Sequence, residues 1–283
     1  MAYRGERGLG MKSRILLEHA RRIIEECKPI TVRGVCYKLF VEGLIPSMHK
    51  NETNKVSDLL TRGRKLGIIP WDSIVDESRQ MEHVASWDNL EQFAGVIERS
   101  YRKDFWTEQD YCVQVWSEKS TIGGVIRPVT DALGVSFMAV HGYGSTTVVH
   151  NLAEASTEDD RQWVVLYVGD HDPSGMHMSE VDLPERTEED GGDVEIIRVA
   201  LLSPDVRGLP SFPAKVADSR HTWYQERYGN QAWEIDAMDP NALRNRVEAA
   251  IREYINEEAW DRMKLVEAAE QRTVAKVAAA MRG

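Results

Sequence analysis

Cysteine is scarce in this chain: Cys27, Cys36 and Cys112 are the only three in 283 residues, and no CxxC pair or Cys/His ligand spacing accompanies them. That excludes a disulfide framework and a Cys/His zinc site, and leaves the thiols to be read as reduced, mostly buried small hydrophobes. Long apolar runs are missing too. No stretch reaches the ~18 residues of a membrane span, and the opening MAYRGERGLGMKSR lacks the apolar core of a secretion signal, so a cytoplasmic protein with no membrane contact is expected. There is no internal repeat, no low-complexity tract, and no Gly-rich phosphate loop or other ATP-binding element.

What is present suits two soluble domains, since 42% hydrophobic content over 283 residues supplies two modest cores. The net charge of −11 argues by itself against nucleic acid, but its distribution is uneven. Residues 1–70 hold 14 Lys and Arg against 7 Asp and Glu, a balance of +7 that leaves −18 for the rest.

Two strand-like runs carry the chemistry. In VVLYVGDHDPSG, residues 164–175, the apolar run 164–168 reads as a buried strand, with Asp170 and Asp172 two positions apart at its carboxyl end and pointing the same way. VQVWSEKSTIGG, residues 113–124, ends its own run on Glu118. Parallel sheets present ligands beyond the carboxyl ends of their strands, so the three carboxylates are expected to converge. Crowded carboxylates repel one another unless a cation neutralises them, and all-oxygen ligation favours magnesium, the expected cofactor, on Glu118, Asp170 and Asp172. A DxD pair alone also reads as solvated loop acids or a helix cap. His171, between the aspartates, is expected to face away from the metal, while Lys119 either approaches a phosphate or forms a salt bridge.

Upstream, KSRILLEHARRIIEE reads as an amphipathic helix with Ile15, Leu16, His19, Ile23 and Ile24 near one face and Arg14, Arg21 and Arg22 solvated. Thr31 caps a helix over about 32–43 that sets Arg33 and Tyr37 one turn apart. A third helix, about 52–66, turns Val56, Leu59, Leu60 and Leu66 inward and leaves Lys55, Arg62, Arg64 and Lys65 outside. Residues 68–79 read as strand, turn and strand. Three helices and a hairpin are the winged-helix order, whose third helix enters a DNA groove, so those four basic residues are the expected DNA contacts. By itself, Tyr37 reads as a core aromatic with a hydrogen-bonded hydroxyl.

The strand-terminal Glu118, followed by Asp170, Asp172, Pro173 and Gly175 in a DxDPxG pattern, resembles the Toprim domain of topoisomerases, primases and related nucleases. TVRGVCYKLF, residues 31–40, is similar to the tyrosine-bearing winged-helix segment of topoisomerase VI A subunits and the meiotic double-strand-break factor. In that family an arginine precedes the catalytic tyrosine by four positions, the spacing of Arg33 and Tyr37; where the family usually has an aromatic before the tyrosine, this chain has Cys36. The resemblance runs from about residue 30 to about 255 and is closest to short, stand-alone A-subunit-like proteins of bacteria and their viruses. It implies a DNA-cleaving, topoisomerase-like enzyme acting on double-stranded DNA through a tyrosyl-phosphodiester bond. Tyr37 would be the nucleophile, Arg33 would stabilise the phosphate, and Glu118 would also serve as general acid or base. It further implies a homodimer in which the tyrosine of one protomer meets the metal of the other, and a separate ATPase subunit if strand passage occurs. Two other readings stay open: a Toprim nuclease using metal-activated water, and a non-catalytic DNA-binding subunit.

The expected fold is therefore α/β, an N-terminal winged-helix domain followed by a Toprim-like α/β domain with a mainly parallel sheet and C-terminal helices. Its divisions are residues 1–80 for DNA binding and the catalytic tyrosine, 81–110 as a helical linker, and 111–283 as the metal-binding domain with a helical extension. Within the last, HGYGSTT, residues 141–147, reads as a capped turn or a phosphate loop. Glu234 and Asp236 either supplement the metal site or stand as exposed strand acids.

Overall fold

The computed structural model describes residues 10–75, 85–140 and 146–282. Helix α1 (Met11–Cys27) buries Leu17, Ala20, Ile23, Ile24 and Cys27. Its inward face is rotated from the expected one, leaving Ile15 50% exposed, because the row through Leu17, Ala20 and Ile24 meets the following helices. After β1 (Ile30–Thr31), α2 (Val32–Val41) starts where the Thr31 hydroxyl accepts the Gly34 amide at 2.8 Å. Helix α3 (Lys50–Lys65) buries Val56, Leu59, Leu60 and Gly63 in the same cluster as Val35 and Leu39 of α2.

The segment expected to form a hairpin does something else. Ile68 and Ile69 plug this cluster, a single 3-10 turn follows at Trp71–Ser73, and β2 (Ile74–Val75) pairs in parallel with β1, Ile30 opposite Ile74. Residues 76–79, the rest of that expected hairpin, lie outside the described residues.

Helix α4 (Leu90–Ser100), capped by the Asn89 side chain on the Gln92 amide, leads into the main sheet. Its strands β3 (Tyr111–Ser117), β4 (Ser136–Ala139), β5 (Gln162–Val168) and β6 (Val194–Ala200) are all parallel in the order β4-β3-β5-β6. Between them run α5 (Ser120–Leu133), α6 (Thr146–Glu158) and a helical stretch made of α7 (Pro173–His177), a π turn at Met178–Asp182 and α8 (Leu183–Glu189). The pleat of β5 sorts its side chains: Val164, Leu166 and Val168 join one core with α5, while Trp163, Val165 and Tyr167 join the other with α6 and α8. Helices thus cover both faces, which is why β5 reads as a continuous apolar run.

The remaining chain forms a small antiparallel pair, β7 (Phe212–Pro213) with β8 (Gln231–Ala232), separated by α9 (His221–Tyr228). Helices α10 (Pro240–Arg252) and α11 (Glu257–Arg282) follow. Helix α11 lies along α4, tied by Tyr101 to Glu270, Lys103 to Glu270 at 3.2 Å and Arg282 to Glu98 at 2.6 Å. The architecture is mixed α/β, with a parallel sheet and C-terminal helices. Among the described residues no helix is long and apolar enough to cross a membrane.

Candidate active site

Strand pairing sets the two chain exits that carry the expected acids next to each other. Ser117 at the end of β3 is in register with Val168 at the end of β5, so Glu118 and the Gly169–Asp172 loop leave the sheet side by side. Asp172 caps α7, its Oδ1 accepting the Gly175 amide at 2.7 Å, and Pro173 fits the first helical position, where no backbone donor is needed. Gly175 is required by contact: a Cβ there would collide with the Asp170 carbonyl oxygen. Burial, then the Asp170 and Asp172 carboxylates, push the Glu118 pKa up from the ordinary 4.5 to about 7. His171 turns away from these acids. Its Nδ1 lies 2.8 Å from the Tyr224 hydroxyl and its Nε2 3.4 Å from the Ser203 hydroxyl, and burial lowers its pKa to about 4.

The positive charge among these carboxylates is Lys119. Its Nζ lies 2.8 Å from Asp170, 3.1 Å from Asp236 and 4.0 Å from Glu234. Burial works against that ammonium, but the three acids outweigh it and hold its pKa well above the ordinary lysine value. Of the two roles expected for Lys119, the structure displays the salt bridge. The donor chemistry suits a hard, oxygen-seeking cation, and Glu118 carries the mark of two neighbouring carboxylates. As arranged, however, Asp170 is committed to Lys119 and to the Ile235 amide at 2.8 Å. Among the described residues no three His, Cys, Asp or Glu side chains stand together as a metal-holding group.

Glu234 and Asp236, read as supplementary ligands or exposed strand acids, instead join the two halves of the chain. They flank Ile235 at a 3-10 turn (Ile235–Ala237), and Asp236 is only 7% exposed. Asp236 accepts the Thr31 hydroxyl at 2.6 Å, while Glu234 is ion-paired with Arg33. Helix α2 is thereby fastened to the acidic site of its own chain. The Arg33 guanidinium lies 5.6 Å from the centre of the Tyr37 ring. Tyr37 is 2% exposed, and burial, followed by Glu234, pushes its hydroxyl well above the ordinary phenol pKa, with Arg33 pulling the other way. The tyrosine nevertheless lines a cleft of about 510 Å³ together with Arg33 and Glu234.

Arg198 was not legible as a site residue. Standing in the middle of the apolar strand β6, it donates to the carbonyls of Gly169, Asp170, Gly175 and Leu201 and to the Ser179 hydroxyl. The planar fork of donors holds both ends of the DHDPSG loop from beneath. An arginine between the apolar pairs Ile196–Ile197 and Val199–Ala200 was the available signal.

On α3, Arg62 and Lys65 are exposed, Lys55 pairs with Glu52 at 2.6 Å, and Arg64 is half-buried with its guanidinium 5.3 Å from the Trp71 ring centre. On α1, Arg21 pairs with Glu18 and Arg22 with Glu42, each at 2.7 Å, as expected of a solvated face. Residues 141–145 of the expected phosphate loop lie outside the described residues; Thr146 and Thr147 open α6.

The Glu118 shift has a measurable sign. A carboxyl whose pKa rises on folding stabilises the protein fully below the unfolded value, about 4.5, and loses that contribution as pH climbs to about 7. Between those limits the wild-type unfolding free energy should fall relative to Glu118→Gln, by at most about 3 kcal/mol at 1.36 kcal/mol per unit. Parallel curves for the two proteins would remove Glu118 as a titrating group. Compared with known proteins, the chain matches no protein-family model and no curated protein sequence.

Proposed function

We propose that this chain cleaves DNA through a tyrosyl-phosphodiester bond, as a winged-helix and Toprim-like enzyme of the topoisomerase VI A kind, with Tyr37 as nucleophile. The observation that carries this reading is the fastening of α2 to the acidic turn. Thr31–Asp236 and Arg33–Glu234 attach the helix that carries Tyr37 to a turn that Lys119 bridges to Asp170. In the reaction the Tyr37 oxygen bonds to phosphorus, the bond to the leaving sugar oxygen breaks, and the phenol proton passes to a base. Glu118 is the proposed general acid or base for that transfer. Arg33 offsets charge on the phosphate. Magnesium on Glu118, Asp170 and Asp172 would supply Lewis-acid stabilisation of the same charge once Lys119 releases Asp170. The phosphotyrosyl product conserves the bond energy, so resealing needs no ATP.

Exposed Arg62 and Lys65, with Lys55 and Arg64 on the same helix, are the proposed contacts to the DNA backbone. A homodimer would give each strand one centre, and strand passage would need a separate ATPase subunit. The cis placement of Tyr37 beside its own acids means that the trans pairing implied by the resemblance requires α2 to leave the Glu234–Asp236 turn.

The test is a denaturing gel of the protein with labelled supercoiled DNA and magnesium. Wild type should give cut DNA carrying covalent protein, and Tyr37→Phe should give neither. The near-complete burial of Tyr37 favours one competitor, hydrolysis by metal-activated water with the tyrosine as packing. Cutting that persists in Tyr37→Phe without an adduct would establish that competitor. Unchanged DNA with wild type, and binding alone in Glu118→Ala and Asp170→Ala, would leave only a DNA-binding subunit.

A further inference from the structure

The cleft beside Tyr37 has a shape and lining that the cleavage chemistry alone does not account for. It opens between α2 with the following turn, residues 46–49, and the β7 segment, residues 210–215, and encloses about 510 Å³. That is within the ~300–1,000 Å³ of pockets that take a small organic ligand. Its walls include Phe40 and Phe212, both half-buried, with Lys215 and the donors of Arg33 at the rim. The carboxylate in the lining, Glu234, and Arg33 cancel each other as an ion pair, so Lys215 gives the cleft its net positive charge. Apolar aromatic walls with a basic rim complement an anion that carries a flat ring.

Access to Tyr37 makes the same demand. At 2% exposure the ring offers almost no surface, so a phosphodiester reaching its hydroxyl through this cleft must enter the cleft itself. One strand can do so. A paired duplex brings its complementary strand with it and is too broad for a space of that volume.

We propose that the cleft captures one unpaired nucleotide next to the scissile phosphate, with its base against Phe40 and Phe212 and its phosphate toward Arg33 and Lys215. This rests on the DNA-cleaving reading above and narrows its substrate to DNA that is gapped, or flipped out of the stack, at the point of cutting.

The experiment uses the full chain without divalent metal and two oligonucleotide duplexes of equal length, one fully paired and one with a short gap containing 2-aminopurine. Wild type and Tyr37→Phe should bind the gapped duplex about tenfold more tightly, with a change in probe fluorescence. Phe212→Ala should lose that preference, and Lys215→Ala should weaken binding of the gapped duplex. Phe212 packs near Tyr224, so Phe212→Leu, which keeps apolar volume without a ring face, decides the matter if the alanine variant misfolds. Equal affinity for both duplexes with a silent probe overturns the proposal, as does a Phe212→Leu protein that behaves as wild type. The two readings fail separately. Probe response without covalent adduct in the magnesium assay retains the nucleotide cleft and removes the nucleophile; adduct on fully paired DNA with a silent probe does the reverse.

Discussion

Lys119→Met should lower the stability of the fold by about 3–5 kcal/mol, the usual cost of removing one partner from a buried ion pair. At ~2–4 °C per kcal/mol for a chain of this size class, the melting temperature falls by about 6–20 °C. The reason is local. Lys119 bridges Asp170 at 2.8 Å and Asp236 at 3.1 Å, and both carboxylates are buried. Methionine fills the space of the lysine stem but leaves two acids facing each other beside Glu118. The loss should shrink at acid pH, where Asp170, whose pKa burial raises, can take up a proton, and millimolar magnesium should restore part of it at neutral pH. Thermal unfolding of both proteins with and without the ion measures all three effects. A variant as stable as wild type would show that solvent, not Lys119, neutralises the site.

Arg198→Met should be comparably severe for a different reason. Five hydrogen bonds from this guanidinium end on four carbonyls and one hydroxyl. Bonds from a charged donor contribute ~1.5–3 kcal/mol each, so even with water replacing most of them the loss is about 4 kcal/mol. The effect should be concentrated at residues 169–175, which lose the support holding Asp170 and Gly175, and amide exchange there should accelerate more than in β3 or α10. Arg198→Lys should recover little, because one ammonium cannot reach carbonyls on both sides of the loop. Uniform acceleration over the whole sheet, or full recovery by lysine, would mean that Arg198 acts only through general packing.

The sequence was most informative where physics is local. The apolar run of β5, its DxDPxG exit and the Thr31 cap depend on neighbours within a few residues, and each stands where periodicity or capping places it. It was least informative where distant segments meet. Ile15 and Leu17 are equally apolar, and only the packing of α2 and α3 decides that Leu17 turns inward. The strand at Ile74–Val75 has its partner more than forty positions upstream, so a hairpin was the natural reading of its surroundings. Within the site, Asp170 and Glu118 were legible from strand ends. Asp236 stood there only as one of two alternatives, a site acid or an exposed strand acid, because its burial comes from Thr31 and Lys119, residues that no short window includes. Arg198 was hidden for the same reason: its partners lie on a loop that follows a different strand.

The hydrogen bond between Thr31 and Asp236 spans 205 positions. Closing a loop of that length carries a large entropic cost. During synthesis α2 therefore emerges long before the turn that receives it, and a ribosome-bound or prematurely terminated polypeptide displays Tyr37 with no acidic counterpart. The link between α2 and the acidic turn is therefore made only when the segment around Asp236 comes back to meet Thr31.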